Sequence, residues 1–154
     1  MLIIDSREPR SLKERLCGLI EDCATRQEPV GDYLIFDKDG HVLGVERKAI
    51  DDLLSSLAGG KLRRQVSALK KYDRQLLLLQ GHWRLSPSGK VLVGTRESGW
   101  VASTVQMILL GVQRAFGAQM LWVSSEDELV NTIVALVKQG QKRCFLETSG
   151  EAVS

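Results

Sequence analysis

An α/β sandwich, with a mixed central sheet flanked by helices, is the fold class this sequence predicts, and three observations carry it. Short apolar runs alternate with amphipathic stretches in the order β-α-β-β-α-β-α-β-α. An Asp39-Gly40 pair lies between two of those runs, as the turn of an antiparallel hairpin would. The run QLLLLQ at 75–80 is apolar almost throughout, as a strand covered on both faces should be.

Taken in order, LIID at 2–5 reads as a short buried strand. Ser11 and Glu14 then form a Ser-x-x-Glu capping pattern behind Pro9. Leu12, Leu16, Leu19, Ile20 and Cys23 follow at helical spacing, which predicts a helix over 11–23. A polar stretch through Pro29 leads to a strand in VGDYLIFD, ending near Asp37, and HVLGVERK returns as its hairpin partner.

Ile50, Leu53, Leu54 and Leu57 make the apolar face of the next helix, Gly59-Gly60 interrupt it, and Leu62, Val66 and Leu69 resume the period. After the strand at 75–80, residues 81–102 hold five Gly or Pro residues and two tryptophans, and read as a long loop. A very apolar helix is expected over 103–116, then a strand in QMLWVSS. The last helix, at 126–138, is capped by Ser125 and Glu128. The chain after about residue 143 reads as a disordered tail, leaving 1–143 as one domain.

With 154 residues, 44% of them hydrophobic and 26% charged, the chain can bury a full core. No apolar run approaches the roughly 20 residues that cross a bilayer, and no basic region precedes the first apolar stretch. Three cysteines, without a CxxC pair, and two histidines argue against a disulfide framework and a structural zinc site. Cys17 and Cys23 read as core thiols on the first helix, and the expected compartment is reducing and intracellular. No GxxxxGK[ST] motif is present, so a nucleotide-driven motor is not expected. Net charge is only +2, but Lys61, Arg63, Arg64, Lys70, Lys71 and Arg74 crowd one segment whose single acid is Asp73. Such a stripe suits either a polyanion or a solvated helix face.

The segment GVERKAIDD, at 44–52, ends a strand on charge rather than on a turn residue. Side chains at i and i+2 share a face of a strand, so Glu46 and Lys48 point one way and Arg47 the other. The hairpin can carry Asp32 towards Glu46. Two carboxylates sharing a site repel unless a cation stands between them, and Mg²⁺ prefers carboxylate and phosphate oxygens. A neighbouring ammonium, Lys48, can orient water or meet developing phosphoryl charge. The set suits phosphodiester hydrolysis, although Asp-x(n)-Glu-x-Lys is a loose pattern and a solvated pair at a strand end would read the same way.

Gly31-Asp32 followed by ERKAIDD at 46–52 resembles the GD-x(n)-ERK-x3-D signature of the XPF-type structure-specific endonucleases, with Asp52 as its last acid. IIDSREP at 3–9 and SLAGGKLRRQ at 56–65 resemble flanking segments of that family, so the likeness spans nearly the whole chain. It implies a restriction-endonuclease-like, PD-(D/E)xK fold and Mg²⁺- or Mn²⁺-dependent cleavage of branched or duplex DNA at flaps, forks or junctions. By the same resemblance Asp5, Asp32 and Glu46 hold the metal. Lys48, Arg47 and Asp52 join Asp32 and Glu46 in catalysis, with Asp52 placed to hold Arg47 or Lys48. Arg7, Lys61, Arg63 and Arg64 are the expected DNA contacts.

Larger members carry a tandem helix-hairpin-helix domain for which this chain has no room, so a separate DNA-binding or helicase partner is one expectation. A homodimer through the late helices is another. The alternative, a catalytically silent DNA-binding or scaffold member, is disfavoured because Asp32, Glu46, Lys48 and Asp52 are all kept.

Overall fold

Leu76, Leu78, Leu77 and Leu79 point alternately to two different cores, and that alternation organises the molecule. The computed structural model describes residues 1–147. Among the described residues there are eight strands: β1 (Leu2–Asp5), β2 (Cys23–Arg26), β3 (Tyr33–Phe36), β4 (Val42–Ala49), β5 (Arg74–Gln80), β6 (Lys90–Val93), β7 (Arg96–Val101) and β8 (Gln119–Val123). The helices are α1 (Arg10–Leu19), α2 (Ile50–Leu57), α3 (Lys61–Ala68), α4 (Ala102–Phe116) and α5 (Glu126–Lys142).

Six strands make one mixed sheet in the order β2-β1-β3-β4-β5-β8. The β1–β3 and β3–β4 pairs are antiparallel; the β1–β2, β4–β5 and β5–β8 pairs are parallel. One face carries α1 and α5 over a core of Leu2, Ile4, Tyr33, Val45, Leu76 and Leu78. The other carries α2, α3 and α4 over Leu77 and Leu79. The mixed sheet flanked by helices is the class expected from the sequence, and β5 is the doubly covered strand that QLLLLQ announced.

Four expectations change. The first helix stops at Leu19, and Ile20 is already extended, so the chain returns to form β2 along β1. That short, mostly exposed edge strand carries no apolar alternation to betray it. The return brings Cys23 to a Cα distance of 5.3 Å from Cys17, and the two form a disulfide. The expectation of two core thiols on one helix is therefore wrong.

The first helix also begins one residue earlier than the capping pattern implies. Pro9 occupies the N-cap, no side chain caps the helix, and Glu14 accepts from Arg10 instead. Fourth, the stretch 81–102 is not all loop. β6 and β7 pair across Gly94-Thr95, Gly94 taking φ 63°, and Val91 is buried in the second core.

Other boundaries move little. Gly60 adopts φ 74° between α2 and α3, and Ser125 Oγ accepts the Glu128 N–H at the start of α5. Residues 144–147 turn back onto the β3–β4 hairpin, where the Phe145 N–H donates to Asp37. The rest of the expected tail lies outside the described residues.

Candidate active site

Register builds the site. Ile4 lies opposite Tyr33, and Tyr33 opposite Val45, so the next residues along, Asp5, Asp32 and Glu46, fall in one row across β1, the approach to β3, and β4. The Asp5 N–H donates to the Asp32 carbonyl and the Asp32 N–H to the Val45 carbonyl, which fixes that row in the backbone. Gly31 makes the entry possible by taking φ 83°, a region costly for a side-chain-bearing residue.

Because Ile4, Tyr33 and Val45 face the α1–α5 core, their neighbours Asp5, Asp32 and Glu46 face the other way. All three line one pocket of about 370 Å³, with Gln65 and Ala68 of α3 as part of its wall. Lys48 shares their side of β4, its side chain buried, and among the described residues it makes no hydrogen bond or ion pair. Arg47 points to the opposite face, as the alternation predicted.

Asp32 and Glu46 are half-buried and receive only neutral donors. The Arg47 N–H donates to Asp32 Oδ2 at 2.7 Å, and Gln65 Nε2 to Glu46 Oε1 at 3.2 Å. Burial, then the charge of Glu8, pushes the Asp32 carboxyl up to about 6. Burial, then the charge of Asp32, pushes Glu46 up to about 7, against the pull of Lys48. Two acids that resist ionising side by side, with no cationic side chain bonded to either among the described residues, fit a divalent ion chemically.

Asp5 fits less directly. Arg7 Nε holds its Oδ2 at 2.8 Å and the Glu28 N–H its Oδ1 at 3.1 Å, although a carboxylate oxygen retains a second lone pair. Burial opposes ionisation of Asp5, but the Glu28 N–H and Arg7 outweigh it and hold the acid below its ordinary value. Arg7 is therefore tied to the site through Asp5 and the Glu28 carbonyl.

Arg47 does not pair with Asp52. Its guanidinium forks onto Glu8, Nε at 2.8 Å and Nη2 at 3.2 Å, and its Nη1 reaches Gln80. Asp52 is exposed in the first turn of α2, where an acid suits the helix N-terminus, and it lies outside the pocket. The expectation that it holds Arg47 or Lys48 is thus corrected: β4 sends Arg47 under the sheet, towards the segment after β1, while α2 starts beyond the end of β4.

Lys61, Arg63 and Arg64 are all exposed on α3, and among the described residues none forms a salt bridge. Lys61 and Arg64 share the helix face of Gln65 and Ala68, at the pocket wall. Arg63 turns away and stacks over the Phe116 ring, 5.4 Å from its centroid, with Lys70 over the same ring at 5.6 Å.

Reading the sequence missed two residues. Glu8, buried, accepts from Arg47 and from the Tyr33 hydroxyl, joining three segments under the acidic row. Its place three residues after Asp5 in DSREP was the available signal. Gln65 donates to Glu46 and leaves its Oε1 buried without a partner among the described residues. It reads as an ordinary surface residue until α3 is docked.

The chain matches the model of the ERCC4 domain over residues 4–136. It is 32% identical over 133 residues to the DNA repair endonuclease XPF of Mus musculus and, equally, to that of Cricetulus griseus. The match takes in 80% of this chain but 13% of each relative, so the chain spans about an eighth of their length. Among solved structures, XPF from Aeropyrum pernix superposes with a TM-score of 0.72 at 22% identity, over 92% of this chain and 65% of that one. The same protein in complex with DNA gives 0.71 at 25% identity, over 96% and 68%. The restriction-endonuclease-like fold of those nuclease domains is the fold of this chain.

Proposed function

Because the chain belongs to the XPF-type nuclease family, we propose that it hydrolyses DNA phosphodiester bonds with Mg²⁺ or Mn²⁺, cutting at flaps, forks or other branched structures in repair, recombination or replication. The observation that carries this reading is the row of Asp5, Asp32 and Glu46 on one pocket wall, with Lys48 on the same face. Asp32 and Glu46 would hold the cation, with Asp5 as the third acid. Bound there, a divalent ion would supply charge for the phosphate and acidity for a water.

The remaining steps belong to side chains. Lys48, without a hydrogen bond or ion pair among the described residues, is free to meet an incoming phosphate or orient the attacking water. Arg47 works through structure: it locks β4 to Glu8, and its backbone N–H orients Asp32. Lys61 and Arg64, exposed on the side of α3 that carries Gln65 and Ala68, serve as phosphate contacts, which position a duplex without reading its sequence. Arg63, over Phe116, is a more distant contact on the same helix. Asp52 acts through the α2 N-terminus, in whose first turn it lies. That one solved relative is described in complex with DNA supports DNA as the ligand. Its place of action is then inside the cell. The chain pairs with a second copy, and a separate DNA-binding or helicase partner would supply reach beyond one domain.

The test uses a labelled 3′-flap, a splayed arm, a four-way junction and plain duplex, each with Mg²⁺, Mn²⁺ or EDTA. Wild type should cut near the branch in either metal and not in EDTA. Glu46→Gln and Lys48→Ala should each lose at least about 100-fold in rate while still binding DNA. Binding without cutting by wild type in both metals would replace this reading with that of a silent DNA-binding member.

A further inference from the structure

At the far end of β3 from Asp32, three side chains from distant parts of the chain meet. Asp37 closes β3, His41 opens the return into β4, and Cys144 follows α5. One ligand atom of each lies within 4.8 Å of the other two, and among the described residues no other His, Cys, Asp or Glu group closes so tightly. His41 Nδ1 is 3.1 Å from Asp37 Oδ2 and 3.3 Å from Cys144 Sγ.

Both contacts fall on the same ring nitrogen. That rules out a relay of the nucleophile–histidine–acid kind, which needs the two imidazole nitrogens to serve different partners. A neutral Nδ1 can donate to Asp37 or accept from the thiol, but cannot do both. A cation bound by all three atoms removes the conflict. Zinc held by imidazole and carboxylate at about 2.0 Å and by thiolate at about 2.3 Å sets tetrahedral edges near 3.3 Å for N···O and 3.5 Å for N···S. The observed separations lie within about 0.2 Å of both.

The surroundings hold the ligands as an outer shell of a metal site does. Asp37 Oδ1 accepts the Asp39 and His41 N–H groups, and its Oδ2 accepts the Phe145 N–H at 2.7 Å, which anchors the residue after Cys144. The Asp37 side chain is fully buried, while His41 and Cys144 remain partly exposed, so solvent reaches two of the three ligands. Lys38, whose N–H donates to the Gly140 carbonyl, adds a second tie between the hairpin and the end of α5.

We propose that Asp37, His41 and Cys144 form a binding site for a thiolate-seeking divalent ion such as Zn²⁺, which staples the chain after α5 to the β3–β4 hairpin. The mixed S, N, O donor set selects against Mg²⁺, so this site is distinct in chemistry and in place from the acidic row. It does not depend on the nuclease reading. A zinc site was not expected from spacing because its ligands are split between residues 37–41 and 144.

Chelator-treated protein is titrated with Co²⁺. A thiolate-to-metal absorption band should grow to one equivalent, vanish in Cys144→Ser, and weaken at least tenfold in affinity in His41→Ala. It should persist in Glu46→Gln and in a Cys17→Ala/Cys23→Ala double variant. A readout without substitution follows alkylation of Cys144 in wild type, which Zn²⁺ should slow at least tenfold. No band in wild type, a band surviving Cys144→Ser, or alkylation indifferent to Zn²⁺ would leave three side chains joined only by hydrogen bonds and overturn the proposal.

Discussion

At Glu46, loss of solvent and the charge of Asp32 act in the same direction, and the result is a site strained against its own ionisation. A carboxyl whose value is higher folded than unfolded binds more protons in the native state, so stability falls as pH rises from about 4 through about 7. After discounting for the solvent that reaches this half-buried pair, the loss is on the order of 2 kcal/mol. Metal-free protein should therefore melt lower at pH 8 than at pH 5.5, and Glu46→Gln should flatten that slope. Mg²⁺ or Mn²⁺ should raise the melting temperature more at pH 8 than at pH 6, because protons and metal compete for the same oxygens. A pH slope unchanged in Glu46→Gln would mean that the pair is not the source. The second residue-scale prediction concerns Glu8. Glu8→Gln keeps the shape but leaves the Arg47 guanidinium, 20% exposed, without its counter-charge. The variant should lose about 2 to 3 kcal/mol in a urea titration. An unmoved midpoint would show that Gln80 and water suffice for Arg47.

At the scale of elements, β4 carries the most consequence because one strand serves both faces. Gly44 lies under the Tyr72 ring, and a Cβ built there would sit 2.2 Å from its Cδ2. Tyr72 cannot simply swing aside, since its hydroxyl donates to the Val30 carbonyl just ahead of Gly31 and Asp32. Gly44→Ala should destabilise by about 2 to 4 kcal/mol and disturb the acidic row from a distance. Gly44→Ala with Tyr72→Ala should recover part of that loss; no recovery would place the strain elsewhere. This strand was also where the sequence was most legible. Alternation placed Glu46 and Lys48 on one face and Arg47 on the other before any fold was known, and QLLLLQ exposed β5 by being apolar at both parities. What stayed hidden had no local signature. β2 is exposed and four residues long, and β6–β7 is a hairpin among glycines, recognisable only once Val91 is seen to be buried. The Arg47–Glu8 pair spans 39 residues, so no local spacing could have shown Asp52 to be the wrong partner.

For the whole molecule, the open question is what the outer surface of the second layer meets. α5 uses its apolar face internally, burying Leu129, Val130, Ile133 and Val137 against the sheet, so it has little left to offer a partner. α4 differs: Val105, Leu109 and Val112 are buried, yet Met107 on the opposite side is 62% exposed. Beside it in sequence, β8 is an outer strand that among the described residues pairs only with β5, and it bears Leu121 at 42% exposure. An unpaired strand edge and an exposed long apolar side chain are both features that association covers. The proposed homodimer is therefore assigned to α4 and β8 rather than to the late helices at large. Light scattering at working concentration should give twice the 17.1 kDa of the chain. Met107→Lys, on the exposed side of α4, and Leu121→Lys, on β8 beside the first core, should each shift the mass towards one chain, and Met107→Lys should do so with little change in melting temperature. A monomeric wild type would remove the dimer. A dimer indifferent to both substitutions would move its interface away from α4 and β8, and then the pocket wall at α3, with Lys61 and Arg64, would have to be tested for burial between copies before it is assigned to DNA.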